Sequence, residues 1–163
     1  QLEGLVRYQE KKYSICMESI YKAGPELELL SQLVEKKNIT QLLEKEQNFA
    51  KYWGRYLEDI DNHWAEELAN YYDKIYLAGC RLLATAFFEE NQYQQAAVYY
   101  KNALLMDCYS EEIAEKLITC YHMLGEWKQL KKQYQEFRKR HETDLGVLPS
   151  QKFETFYHSC SLS

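Results

Sequence analysis

The stretch NQYQQAAVYYKNALLMDCYSEE, Asn91 to Glu112, sets three alanines, Ala96, Ala97 and Ala103, among three tyrosines, Tyr93, Tyr99 and Tyr100. A helix that lies tight against another helix uses residues in this way. Small side chains stand where the two backbones approach, and large rings fill the space around the contact. The run Tyr93–Met106 therefore reads as such a helix, and Ser110 as the N-cap of the next one.

Outward from this stretch, helical period continues in both directions. After Ser110, the residues Ile113, Ala114, Leu117, Ile118, Tyr121 and Leu124 line one face. Glu111 and Glu112 suit the positive end of that helix, and Gly125 ends it. A helix over 126–140 is expected to bury Trp127, Leu130, Tyr134 and Phe137, and it closes on Arg138, Lys139 and Arg140, the right charge for a C-terminus. TDLGVLPS reads as a loop in which Leu145–Pro149 locks the last helix onto the repeats and Gly146 turns the chain through a positive φ, and 150–158 reads as a last short helix. Upstream, helices are expected over 62–90, 40–52 and 26–36.

Sliding the chain along itself until Asn91 falls on Gly125 also places Tyr93 on Trp127, Ala96 on Leu130, Tyr100 on Tyr134, Ala103 on Phe137 and Phe87 on Tyr121. Turn residue meets turn residue and aromatic meets aromatic. A helix-turn-helix unit of this period, about 34 residues, is the signature of tetratricopeptide (TPR) repeats. Ala84 and Ala96 would let the first pair of helices approach closely. In the second copy Leu130 and Phe137 replace alanines, which predicts looser or differently tilted packing. Another step upstream agrees only weakly, so two clear repeats and a degenerate third are expected. The fold class is all-α: a TPR-like array of antiparallel helix hairpins over 21–163.

The segment 1–20 differs. Leu5–Gln9 and Tyr13–Met17 are β-prone runs around Glu10-Lys11-Lys12, and they read as a short N-terminal β-hairpin. The chain opens on Gln1 rather than Met, as expected of a piece of something longer, and no charged segment precedes an apolar one as in a signal peptide. No apolar run reaches the length of roughly 18 residues that marks a candidate membrane span. Five cysteines, Cys16, Cys80, Cys108, Cys120 and Cys160, an odd number without a C-x-x-C pair, argue against a zinc or disulfide framework. Cys80 and Cys120 sit among apolar residues as small buried hydrophobes, which fits a cytoplasmic location.

No chemistry-bearing constellation stands out. His63, His122, His141 and His158 have no metal-ligand spacing, and phosphate-loop and nucleophile-elbow motifs are absent. Glu66-Glu67, Glu89-Glu90 and Glu111-Glu112 are neighbours that point about 100° apart on a helix and read as solvated. No catalytic, cofactor-binding or metal-binding residue is nominated, and an enzyme is not expected. Two charge features remain. Six acids and no Lys or Arg lie between Leu57 and Asp73, and six Lys or Arg with two acids lie between Glu126 and His141. These are complementary docking surfaces or, more ordinarily, solvated helix faces. The 15 tyrosines are expected mainly in the repeat core rather than in a peptide-binding groove.

The last two thirds of the chain resemble the bacterial transcriptional activator domain, the helical module of the Streptomyces antibiotic regulatory protein (SARP) family and related regulators. QYQEFRKRHETDLGVLPS carries the family's tyrosine and arginine and then its L-G-V-x-P-S ending, at Tyr134, Arg138, Leu145, Gly146, Val147, Pro149 and Ser150. YWGRYLEDIDNHWAEE resembles the entry motif at Tyr52, Gly54, Tyr56, Leu57 and Trp64, and the repeat portion fits at Asp107, Glu111, Tyr121 and Gly125. Departures are Cys108 in place of proline, His141 in place of an apolar residue and Leu68 where arginine is common.

The resemblance implies a transcription factor in which a winged-helix DNA-binding domain precedes this module, and the hairpin within 1–20 would be the remnant of its wing. It implies that this part serves in dimerisation, in contacts to the DNA-binding domain, or in signal or polymerase coupling: the partners are the upstream winged-helix domain and/or a second copy in a homodimer, with RNA polymerase as a further candidate. No ligand or cofactor follows from it. With a net charge of −5, and with its basic helix committed to packing, the chain is not expected to read DNA sequence by itself. Other readings are a TPR adaptor for a protein partner and a TPR-type sensor of a peptide or small ligand.

Overall fold

The computed structural model describes residues 6–9, 12–15, 17–51 and 63–161. Its contacts divide the chain into two compact units, 1–75 and 76–163.

In the first unit, strands β1 (Val6–Gln9) and β2 (Lys12–Ile15) pair antiparallel, with Val6 opposite Ile15 and Gln9 opposite Lys12. These strands fall on the expected hairpin, whose outer residues Leu5 and Cys16 lie outside the described ones, and helix α1 (Met17–Glu35) starts earlier than apolar spacing suggests. Leu27, Leu30, Leu33 and Val34 form the buried stripe of α1. Asn38 caps α2 (Ile39–Glu44) by accepting the Gln41 N–H at 3.3 Å. The single helix expected over 40–52 is broken at Lys45. Its carbonyl accepts from both Asn48 and Phe49 at 2.9 Å, which starts α3 (Glu46–Lys51). Leu42 and Phe49, one on each piece, are both buried.

Helix α4 (His63–Glu89) ends in the second unit, and α5 (Tyr93–Met106) follows after the turn at Asn91. Then come α6 (Glu111–Met123), α7 (Trp127–Arg140), a π-helical turn over His141–Leu145 and α8 (Gln151–Ser161). Ala84, Ala96 and Ala103 have no exposed surface, and Tyr99 and Tyr100 are buried beside them. Phe87 stacks on Tyr99, and the edge of Tyr93 meets Phe88. Small residues at the contact with rings around it are the arrangement that the spacing predicts. In the second repeat, Leu130 and Phe137 are as fully buried as the alanines they replace. The extra bulk of Phe137 is taken up by contacts beyond the hairpin, with its ring 4.9 Å from Phe153 of α8 and 4.4 Å from His141.

Three helix ends share one geometry. At Lys37, Asn91 and Gly125, φ is 51°, 59° and 68°. At each, the residue's N–H bonds the carbonyl three back, and the next N–H bonds the carbonyl five back from it (Asn91 to Phe88 and Gln92 to Phe87, Gly125 to His122 and Glu126 to Tyr121, Lys37 to Val34 and Asn38 to Leu33). This left-handed cap satisfies carbonyls that a helix end would otherwise orphan. Asn91 and Gly125 stand one repeat apart, as the register requires. The turn at Lys37 lies between one and two repeats upstream of Asn91, which is why a constant step does not find the third hairpin.

Two core assignments need correction. Trp127 is 49% exposed rather than a core anchor. Its place in the register holds, since its ring meets His122 edge-on at 5.3 Å just as Tyr93, one repeat earlier, meets Phe88 at 5.4 Å. However, that position is the first residue of the helix at the hairpin tip, and Tyr93 there is itself only half-buried. The segment Leu145–Leu148 likewise does not pack down as a lock. Gly146 does adopt the expected positive φ of 69°, but Leu145, Val147 and Leu148 are about half exposed, and only Pro149 is buried.

Candidate functional site

The second unit presents one face built by equivalent helices. Ser110 and Ser150 each cap the helix that follows, accepting the N–H of Ile113 and Phe153 respectively. Thus α8 begins as α6 does. The contacts repeat as well. Arg81 of α4 reaches Glu112 of α6 at 2.6 Å, and Glu115 of α6 meets Lys152 of α8 at 3.7 Å. Glu115 stands one repeat beyond Arg81, and Lys152 is as far beyond Glu112 as Ser150 is beyond Ser110. So α8 lies on α6 as α6 lies on α4, with the charges of the pair exchanged. Polar Gln151, Lys152 and Thr155 remain exposed on α8, the pattern of a capping helix.

Along this face the Lys116 ammonium lies 4.9 Å from the centre of the Phe88 ring, within cation–π range. Thr85 and the Tyr100 hydroxyl are 3.4 Å apart. His122 Nδ1 is 3.1 Å from the Cys160 carbonyl, which ties the far end of α8 to α6. The near end is tied by Glu111. One of its carboxylate oxygens accepts the Ser150 N–H at 2.6 Å and the other accepts the Ser150 hydroxyl at 2.5 Å. Glu111 and Glu112 are expected from the sequence to be merely solvated, but each has a defined partner. The signal lay in the LGVLPS ending, because a serine that caps a docked helix presents both donors to a carboxylate at the neighbouring helix start.

Behind the face, aromatic packing secures α8. Tyr134 stacks on Tyr157 at 3.5 Å and on Phe153 at 6.2 Å. The Tyr134 hydroxyl donates to the Glu154 carboxylate, and Arg138 Nε lies 3.7 Å from the other Glu154 oxygen. Burial, reinforced by the bond to Glu154, pushes the Tyr134 phenol up to about 12. His141, where the family has an apolar residue, is buried as that residue would be, between Phe137 and the edge of Tyr109. Cys80 and Cys120 are fully buried as expected, and burial raises both thiols to about 12.

Of the remaining sequence candidates, His63, Glu66 and the acids at 58, 59 and 61 have side chains outside the described residues. Among the described residues, no group of three or more His, Cys, Asp or Glu is placed to hold a metal ion, and no helix is long and apolar enough to cross a membrane. The face presents a cation–π pair and two ion pairs.

Residues 30–160 match the family model of the bacterial transcriptional activator domain, and the chain belongs to that family, a regulatory and non-catalytic one. No curated protein and no solved structure matches in the corresponding comparisons.

Proposed function

We propose that the chain is the regulatory and oligomerising helical part of a bacterial transcription regulator, acting in the cytoplasm. On this reading a winged-helix domain before the hairpin reads the promoter, and the helical array contacts that domain, a second copy of itself and RNA polymerase. Membership of a transcriptional activator family supports the general role, and the β1–β2 hairpin directly before α1 supports the junction with a wing. The observation that carries the reading is the continuous face of α4, α6 and α8, assembled at matching positions. The array itself does not read base sequence, since specificity needs side chains aimed at base edges in a groove.

The test uses a full-length regulator containing this chain, with a reporter behind its promoter. Lys116→Glu removes the cation–π contact at Phe88 and places a carboxylate between Glu112 and Glu115. Helicity and promoter occupancy should stay unchanged while transcription falls several-fold, or the sedimentation coefficient should drop to that of a monomer. Unchanged reporter output and unchanged assembly state would remove this face from the function.

A further inference from the structure

The feature this reading leaves unused is the outer face of α7. At about 100° per residue, Lys128, Lys131, Lys132, Gln135 and Lys139 fall within a single arc of roughly 100°. That arc lies opposite the buried stripe of Leu130, Tyr134 and Phe137. All five outer residues are exposed. Lys132 reaches Glu136 at 3.7 Å, a pair with both side chains mostly in solvent, so its charge stays largely available. Among the described residues, Lys128, Lys131 and Lys139 have no acid within ion-pair distance. By contrast, Arg138 and Arg140 are engaged within the fold, with Glu154 and with the Cys108 carbonyl.

The repeat does not require such a face. On α5, the matching positions one repeat earlier are Gln94, Ala97, Val98, Lys101 and Leu105, which carry a single charge. Solvation alone is met by that mixed surface, so the lysines of α7 are particular to this helix. From Lys128 to Lys139 the helix rises about 16 Å. Duplex DNA presents one phosphate per about 1.7 Å of axis, so that length faces a dense row of anions.

We propose that this face of α7 docks on the phosphate backbone of duplex DNA without reading its sequence. The inference rests on the reading of the chain as part of a transcription regulator, since that role brings the helix next to a promoter. The net charge of −5 does not forbid it, because at about 0.1 M salt charges beyond about 10 Å are screened and the local lysines dominate. The contact would hold the array against DNA beside the site that the reading domain selects, a positioning role rather than a specifying one.

The test is fluorescence anisotropy of the 163-residue chain with a labelled random-sequence duplex, titrated over a series of salt concentrations. Binding is expected in the weak non-specific range, about 10⁻⁴ to 10⁻⁶ M, with a log–log salt slope near −3 for three to four phosphates. The variant with Lys128→Gln, Lys131→Gln, Lys132→Gln and Lys139→Gln should bind at least tenfold more weakly and bring the slope close to zero. Lys101→Gln with Lys152→Gln, elsewhere on the surface, should leave both quantities unchanged, and circular dichroism should show the helices intact in every variant. Absence of duplex binding, an unaltered slope in the quadruple variant, or equal loss in the control would overturn the proposal. So would capture of a poly-glutamate peptide without capture of duplex, which would make the occupant an acidic protein. A failed duplex test beside a reporter that still responds to Lys116→Glu would remove only the docking inference. A reporter indifferent to the whole helical array would remove the reading on which it rests.

Discussion

Replacing Trp127 by alanine separates repeat register from burial. A buried aromatic ring typically covers about 150–250 Å² of surface. Trp127 is 49% exposed, so truncation uncovers about 100 Å². At about 25 cal/mol per Å² this costs roughly 2.5 kcal/mol, and allowance for a compact unfolded chain brings it near about 2 kcal/mol. Phe137 is 1% exposed and is wedged between His141 and Phe153. Phe137→Ala should therefore cost the full transfer and cavity penalty, about 3–5 kcal/mol. The two variants are compared by urea unfolding followed by far-UV circular dichroism, on the transition that Phe137→Ala itself shifts, with the slope checked against wild type. The gap of about 2 kcal/mol corresponds to roughly 4–8 °C in Tm for a chain of this size. Equal losses from the two variants would refute the placement of Trp127 at an open hairpin tip. No loss from Trp127→Ala would refute its edge contact with His122 as well.

Gly146→Val should destabilise by about 1–3 kcal/mol. The cost comes from φ of 69° alone, since a Cβ there would meet nothing within 4 Å; an unchanged urea midpoint would show that the turn relaxes. A thiol reagent applied to the native protein at about pH 8 should spare Cys80 and Cys120, whose thiols are fully buried and raised to about 12; their labelling before unfolding would contradict that burial. Alkali should unfold the array through its tyrosines. Tyr134 ionises at about 12 when folded against 10.0 in the free side chain, so the unfolded chain loses that proton first. The stability it contributes is complete below about pH 10 and is lost as pH rises towards about 12. Tyr134→Phe should flatten that part of the decline in a pH series of urea midpoints, and an identical decline would assign it to other groups.

Much of the array was legible because its determinants are local. The spacing of alanine and tyrosine marks α5, the Ser110 cap marks α6, and a step of one repeat links the shared turn at Asn91 and Gly125. What failed depended on contacts between distant segments. Burial of Trp127 could not be judged from a helical face, because exposure at a hairpin tip depends on what lies across it. The bond between Glu111 and Ser150 spans 39 residues, and nothing in Glu111-Glu112 distinguishes the carboxylate that caps a neighbour from one that only faces solvent. The break at Lys45 had no glycine or proline to mark it. The third hairpin was hidden because α4 is 27 residues long where α6 has 13. That difference supplies part of the shift that puts the earlier turn at Lys37 out of step, while its geometry is unchanged.

The exchanged charges between α4, α6 and α8 bear on the order in which these helices pack. Exposed pairs such as Arg81 with Glu112 and Glu115 with Lys152 contribute little stability, about 0–1 kcal/mol each. Their value lies in choosing neighbours. Helix α6 offers an acid on both sides, Glu112 towards α4 and Glu115 towards α8, so each flanking helix must bring a base. Were α8 to dock on α4, Lys152 would face Arg81, and like charges in contact select against that order. Were another copy of α6 to occupy the place of α8, its Glu112 would face Glu115. Charge thus sets the sequence of helices, while rings and alanines supply the energy that holds them.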